Sequence, residues 1–252
     1  MQHVKVVFGL IGFPLGHSWS AGWFNEKFRS EGEINKEYHL FPLTNISELP
    51  GLLTSVPALA GLNVTIPYKE KILPLLDELD ETARSVGAVN VIRIERAAGK
   101  IRTKGFNTDA RGFLMTLPEV FPFKSALILG TGGAAKAVAW ALRKKNIPFL
   151  MVSRKNKGKY LIAYDDISPG IIRNNLLIIN ATPLGMFPDT EKYPGIPYHY
   201  LTGDHFLYDL IYNPEETAFL KQGKAMNACT MNGMQMLINQ AVLSWNIFKG
   251  ND

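Results

Sequence analysis

The stretch that most restricts what this chain can become is Ser125–Ala135, S-A-L-I-L-G-T-G-G-A-A, which runs straight into K-A-V-A-W-A-L-R-K-K. Ala126–Leu129 is continuously apolar, the pattern of a strand buried on both faces. Gly130, Gly132 and Gly133 make a turn that a side chain would obstruct. Ala134–Lys145 then carries apolar residues at helical spacing (Ala134, Val138, Ala141, Leu142) and closes on Arg143-Lys144-Lys145, cations suited to a helix C-terminus. In this strand–turn–helix context the G-x-G-x-x-[GA] spacing acquires a physical meaning. The first glycine allows the tight turn, and the second lets backbone approach a pyrophosphate. Ala135, in place of a third glycine, is small enough for close helix–strand packing. Exposed N–H groups and the helix dipole attract the anion. The same residues also read as an ordinary strand–helix turn without a ligand.

A chain of 252 residues is one large domain or two of ordinary size, and 46% hydrophobic with 19% charged residues excludes a disordered chain. No apolar run approaches the ~20 residues that span a bilayer, so no membrane partner is expected. The start, Met1-Gln2-His3-Val4-Lys5, leads directly into a strand-like run, unlike a secretory signal. Cys229 is the only cysteine, so there is no intrachain disulfide and no zinc spacing. We therefore expect no metal and a cytoplasmic setting. The net charge of +5 is concentrated: Arg143, Lys144, Lys145, Arg154, Lys155, Lys157 and Lys159 fall in one window without an acid. That window has no interleaved aromatics and no nucleic-acid reader motif. A small ligand's phosphate and a solvated helix end explain it better than nucleic acid does.

Taken in order, Val4–Ile11 reads as a strand, followed by a loop, His17-Ser18-Trp19-Ser20, and a helix from Trp19 to Phe28. Ser18 and Ser20 either hold a polyhydroxylated or carboxylate ligand or cap that helix. Glu37–Pro42 is a strand, Ile46–Ser55 a short helix, and Gly61–Val64 a strand closed by T-I-P-Y-K. Glu70–Leu79 is expected to be helical apart from Pro74. Lys69 sits where strand hands over to helix, a place the helix dipole does not favour for a cation. It is either a surface lysine or a functional one. Val86–Ile94 and Lys100–Lys104 form a hairpin around Ala97-Ala98-Gly99, and Ala110–Leu117 is a helix with Asp109 at its start. Further on we expect a strand at Asn175–Asn180, loop at Tyr193–Tyr200, a strand at Phe206–Leu210, a helix at Pro214–Gln222, a strand at Ala225–Ala228 and a long helix at Gly233–Phe248.

Eight motifs occur in one order: H-S-W-S (17–20), N-V-T-I-P-Y-K (63–69), G-A-V-N (87–90), N-T-D-A-R-G (107–112), G-T-G-G-A-A (130–135), N-A-T-P-L-G-M (180–186), Y-D-L-I-Y-N-P (208–214) and N-G-M-Q-M-L-I-N-Q-A (232–241). In order and spacing the chain resembles shikimate dehydrogenase. The resemblance implies an α/β protein: an N-terminal three-layer α/β/α substrate domain (1–109 plus 233–252), a Rossmann-type NADP-binding domain (110–232), and a cleft between them. It implies NADPH-dependent, reversible reduction of 3-dehydroshikimate to shikimate in aromatic amino acid biosynthesis. It further implies Lys69 as proton donor and acceptor, with Asp109 as its partner. Ser18, Ser20, Thr65, Asn90, Tyr212 and Gln240 would hold the substrate's hydroxyls and carboxylate. Gly130, Thr131, Gly132, Gly133 and Ala134 would hold the pyrophosphate, and Leu210 and Gly233 would lie near the nicotinamide. A quinate/shikimate dehydrogenase of relaxed specificity and a catalytically silent NADP-binding sensor are the alternatives. A monomer and a homodimer both fit.

The preference for NADP over NAD is argued without the family. An NAD site usually has Asp or Glu at the end of the second strand, here Phe149–Ser153. This chain has Ser153-Arg154-Lys155 and no acid. Arg154 can stack on adenine and meet a 2′-phosphate, helped by Lys155 or Lys157. There are departures from the family pattern. Ala21 stands where proline is usual, Ser153 where asparagine is usual, and Gln235 where a small residue is usual. The largest lies after Arg154, where Arg154–Lys159 alone separates Ser153 from the apolar run Tyr160–Tyr164. A parallel crossover needs about a dozen residues. The expectation is a tight turn at Asn156-Lys157-Gly158, with Tyr160–Tyr164 antiparallel to Phe149–Ser153 or extended coil, leaving the adenine pocket open.

Overall fold

The computed structural model describes residues 4–16, 18–119, 122–154 and 160–251. The chain folds as two units, Met1–Thr108 with Ala241–Asp252, and Asp109–Gln240.

The first unit contains β1 (Val6–Gly12), α1 (Trp19–Ser30), β2 (Lys36–Pro42), α2 (Leu49–Ser55), β3 (Leu59–Val64), β4 (Glu78–Leu79), α3 (Glu81–Val86), β5 (Val91–Ala97) and β6 (Lys100–Phe106). Its sheet runs β2-β1-β3-β5-β6-β4. β1 lies parallel to β2 and β3, while β5 is antiparallel to both β3 and β6. Alternation along β1 makes the layers. Val7 and Ile11 enter one core with Leu49 and Leu53 of α2. Phe8 and Leu10 enter the other with Phe24 and Phe28 of α1 and with Trp245. Helices thus cover both faces of the sheet. Burying each of these aromatics contributes about 1.5–3 kcal/mol. The hairpin turns at Ala98 (φ 50°) and Gly99 (φ 73°), the left-handed pair that a two-residue turn requires.

The second unit contains α4 (Thr108–Leu114, whose first residue belongs to the first unit), β7 (Ala126–Leu129), α5 (Gly133–Lys144), β8 (Phe149–Ser153), β9 (Leu161–Ala163), α6 (Pro169–Asn174), β10 (Leu177–Asn180), β11 (Phe206–Asp209), α7 (Ala218–Ala225), β12 (Cys229–Met231) and the start of α8 (Met234–Phe248). All its strand pairs are parallel, in the order β12-β11-β10-β7-β8-β9. Ala126 and Ile128 pack towards Ala135, Val138 and Leu142 of α5. Leu127 and Leu129 pack towards Ile172 of α6 and Phe219 of α7. This is a doubly wound Rossmann-type sheet, and its order reverses between β7 and β10. Residues from Ala241 onward, on α8, belong to the first unit.

Three expectations are corrected. Glu70–Leu79 is not a helix. Ile72 N–H donates to Tyr68 O for a single turn, Leu73–Leu75 is one 3₁₀ turn, and Glu78–Leu79 pairs with β6. Tyr68 and Ile72 are buried at helical spacing, but Pro74 interrupts the ladder. Second, Leu161–Ala163 is parallel, not antiparallel, to β8, with Met151 opposite Leu161. The dozen-residue rule assumes full-length strands joined by a helix. Here only Met151–Ser153 must be retraced, ~10 Å, and the seven residues Arg154–Tyr160 reach up to ~23 Å when extended. The expected turn at Asn156-Lys157-Gly158 lies outside the described residues. Third, the helix expected at Pro214–Gln222 is Ala218–Ala225, because the Thr217 side chain caps it by accepting from Leu220 N–H. Asn227, at φ 62°, ends it, with Ala228 N–H donating to Gly223 O. The following strand is therefore Cys229–Met231 rather than Ala225–Ala228.

Candidate functional site

In the first unit the candidate residues gather at the carboxyl ends of neighbouring strands. Thr65 N–H donates to Ile11 O and Phe13 N–H to Ile66 O, which joins the loops after β1 and β3. A Cβ on Gly12 would stand 2.4 Å from the Thr65 methyl carbon, so glycine is what lets this loop close. Lys69 is half-buried and its backbone is held on both sides. The Tyr68 hydroxyl donates to Leu43 O at 2.6 Å, and Lys69 O accepts from Val89 N–H at 2.7 Å. Ser18 and Ser20 are half-buried. Ser18 occupies the N-cap position of α1, yet its side chain makes no capping bond. The capping alternative therefore does not account for it.

Asn90, nearly sealed, joins this loop to the end of the unit. Its Nδ2 donates to Thr108 Oγ1 at 2.8 Å, and its Oδ1 accepts from Thr108 N–H at 2.7 Å. Thr108 Oγ1 also meets Ser244 Oγ at 3.1 Å. Asn63 Nδ2 donates to Ser244 Oγ, and its Oδ1 accepts from the Tyr38 hydroxyl. Burial pushes that phenol well above its ordinary pKa. The chain is thus held by side-chain hydrogen bonds immediately before Asp109. Asp109 itself is buried in the first turn of α4, the dipole-favoured end for an acid.

In the second unit Gly130 has φ 116°, and a Cβ there would come within 3.1 Å of Ala181 O. Gly132 is the N-cap of α5 and would place a Cβ in open space, with no atom within 4 Å. The first turn of α5 carries no acid. Ala135 is fully buried against the sheet, as the small third position requires. The turn sits at the reversal of strand order, where open α/β sheets bind ligands. Thr131 is exposed beside it, and Gly133 and Ala134 are half-buried. Ser153 ends the adjacent strand β8 and Arg154 follows it, exposed. Lys155 and Lys157 lie outside the described residues. These features fit a dinucleotide with an extra phosphate at the end of β8.

On the other side of the reversal, Leu210 N–H donates to Asn180 O. A Cβ on Gly233 would fall 2.1 Å from Leu210 O, so only glycine permits that packing. Tyr212 is half-buried, and burial raises its pKa. Gln240 is nearly sealed, with Nε2 donating to Leu237 O. Sequence reasoning missed Asp209 at the end of β11. It is fully buried and accepts from Thr217 Oγ1, Asn180 Nδ2 and Ile211 N–H. Desolvation raises its pKa to about 6. An acid closing an otherwise apolar strand was the available signal. Among the described residues there is no cluster of His, Cys, Asp or Glu suited to a metal, and no helix long and apolar enough to cross a membrane.

Two helix-covered sheets, one carrying a glycine turn at its switch point, define a two-unit α/β protein of the dinucleotide-binding oxidoreductase class. A family model described as the shikimate dehydrogenase substrate binding domain matches residues 10–92. The shikimate dehydrogenase (NADP(+)) of Desulforamulus reducens is 38% identical, covering 99% of this chain and 94% of the relative. The Thermus thermophilus shikimate 5-dehydrogenase, solved in complex with NADP(H) and shikimate, superposes with a TM-score of 0.82 at 32% identity, covering 98% of this chain and 94% of that one. The quinate dehydrogenase of Corynebacterium glutamicum, solved in complex with NAD, gives a TM-score of 0.81 at 28% identity, covering 98% and 95%. The chain belongs to the shikimate dehydrogenase family.

Proposed function

We propose that this protein catalyses the NADPH-dependent, reversible reduction of 3-dehydroshikimate to shikimate in the cytoplasm. The observation that carries the reading is the open glycine turn at the switch point of the second sheet, in a chain whose first unit presents Lys69 on a clamped loop. Residues 1–109 with 233–252 bind the substrate and residues 110–232 bind the cofactor. Gly130, Thr131, Gly132, Gly133 and Ala134 hold the pyrophosphate through backbone N–H groups and the dipole of α5. Ser153 and Arg154, with Lys155 and Lys157, receive the adenosine end, and Arg154 pairs with the 2′-phosphate. Leu210 and Gly233 shape the nicotinamide seat. When bound, NADPH supplies the hydride.

Lys69 stabilises the negative charge that grows on the ketone oxygen, then donates the proton that completes the hydroxyl. In the reverse direction the same amine takes that proton back. Asp109 serves as the partner of Lys69 in that proton transfer. Ser18, Ser20, Thr65, Asn90, Tyr212 and Gln240 hold hydroxyls and carboxylate by neutral hydrogen bonds, which fix orientation without trapping the product as a buried cation would. The likeness to a quinate dehydrogenase keeps a second reading, a relaxed quinate/shikimate dehydrogenase. The test is NADP+ and NAD+ reduction by purified protein with shikimate or quinate. The proposal expects shikimate with NADP+ to be the preferred pair. A preference for quinate supports the second reading. NADP+ binding without turnover of either acid would instead identify a silent sensor.

A further inference from the structure

Asp209 and Asn180 are register partners at the carboxyl ends of neighbouring strands, beside the strand that delivers the glycine turn. Both are fully buried. The Asp209 carboxylate collects three donors from three directions. Thr217 Oγ1 lies at 2.6 Å, Asn180 Nδ2 at 3.0 Å and Ile211 N–H at 3.0 Å. Asn180 passes the restraint on: its Oδ1 accepts from Thr182 N–H and Thr182 Oγ1, and its Nδ2 also donates to Leu184 O. Ala181 and Thr182 are the residues a side chain on Gly130 would strike. On the other side, Ile211 O accepts from Gly233 N–H, and Leu210 O bears on Gly233. One carboxylate therefore ties together the segments carrying Ala181–Leu184, Leu210–Thr217 and, through Ile211, Gly233.

We infer that Asp209 is a positioning residue: through Asn180, Ile211 and Thr217, its carboxylate fixes the loops that seat the nicotinamide end of the cofactor, although it is sealed from every ligand. The inference rests on the functional reading above. The expected signature is acid sensitivity. All three donors are neutral, and they oppose the cost of burial only in part, so the group titrates at about 6. Among the described residues the Tyr198 phenol shares its field, and burial keeps that phenol neutral. Protonation sets an O–H donor against groups that themselves donate, and loosens the tie.

The experiment measures 3-dehydroshikimate reduction across pH. Wild-type kcat should fall off below about pH 6, following Asp209. Asp209→Asn keeps size and most hydrogen bonds but cannot ionise. It should lose about tenfold to a hundredfold in kcat, as expected for misplaced reacting groups. It should also lose the acid limb, while NADPH affinity by fluorescence stays close to wild type because the glycine turn is untouched. Thr217→Val removes a donor to the ionised form and should move the acid limb to higher pH. Thr217→Ser, keeping the hydroxyl, should return it. If Asp209→Asn fails to fold, the direction of the Thr217→Val shift decides. Wild-type kcat in Asp209→Asn, or an acid limb that neither substitution moves, overturns the inference. A wild-type protein inactive on this ketone refutes the functional reading and the inference together.

Discussion

Replacing Thr108 by valine tests the hydrogen-bonded network that leads the chain to Asp109. The two side chains have nearly the same shape, so the change removes a hydroxyl and little else. That hydroxyl accepts from Asn90 Nδ2 at 2.8 Å and meets Ser244 Oγ at 3.1 Å. Asn90 is 3% exposed and Ser244 0%, so little water reaches either. Ser244 Oγ keeps the Asn63 Nδ2 donor, so the cost falls mainly on Asn90, and a sealed group that loses a partner costs about 1–3 kcal/mol. At about 2–4 °C per kcal/mol for a chain of this size, Tm should fall by roughly 2–12 °C. Thermal and urea unfolding of wild type, Thr108→Val and Thr108→Ser provide the assay. Thr108→Ser keeps the bonds and should lie much closer to wild type. Because the network ends one residue before Asp109, Thr108→Val should also lower kcat. A Thr108→Val protein as stable as wild type would refute the reasoning, since it would mean these bonds have no net effect on the fold.

Gly132→Ala should separate fold from function: its Cβ meets no protein atom within 4 Å, so Tm should hardly change, while NADP+ affinity by calorimetry drops at least about tenfold where the methyl meets the pyrophosphate. Arg154→Ala should raise KM for NADP+ about tenfold and leave KM for NAD+ nearly unchanged, the scale of one solvent-screened charge-assisted contact. For Asp209 the folded pKa of about 6 lies above the ordinary 3.8. The folded state therefore binds the proton more tightly than the unfolded chain, and this group's contribution to stability falls as pH rises from about 4 to about 6. Asp209→Asn removes that fall, so its stability relative to wild type should rise by about 2–3 kcal/mol over this window, read by urea unfolding at several pH values. A pH-independent difference would contradict the linkage.

The sequence was most legible where one signal dominated. Ala126–Leu129 and Phe149–Ser153 fold with the expected bounds because an apolar run in a parallel sheet admits one environment. The glycine turn follows for the same reason: Gly130 needs its positive φ and Gly132 its open side. Legibility failed where local signals competed. Around residues 70–79 the expected helix was interrupted by Pro74, and pairing of Glu78–Leu79 with β6 decided. α3 escaped notice although Asp80 caps it by accepting from Thr82 and Ala83 N–H and Gly87 ends it at φ 70°. Its six residues give too little periodicity to read. The direction of β9 depends on how little of β8 it pairs with, which is not written in the residues of either strand. Asp209 was visible only as a letter in Y-D-L-I-Y-N-P. Its meaning comes from Asn180 and Thr217, which reach it through folding.

The most direct measurement is shikimate-dependent NADPH formation by wild type and Lys69→Ala, with NADP+ and shikimate binding measured separately on both. The account predicts a wild-type enzyme and a variant that binds both ligands nearly as well but has lost about 10²–10⁴-fold in kcat, the scale of a removed acid–base group. Lys69→Ala turning over at the wild-type rate would contradict it.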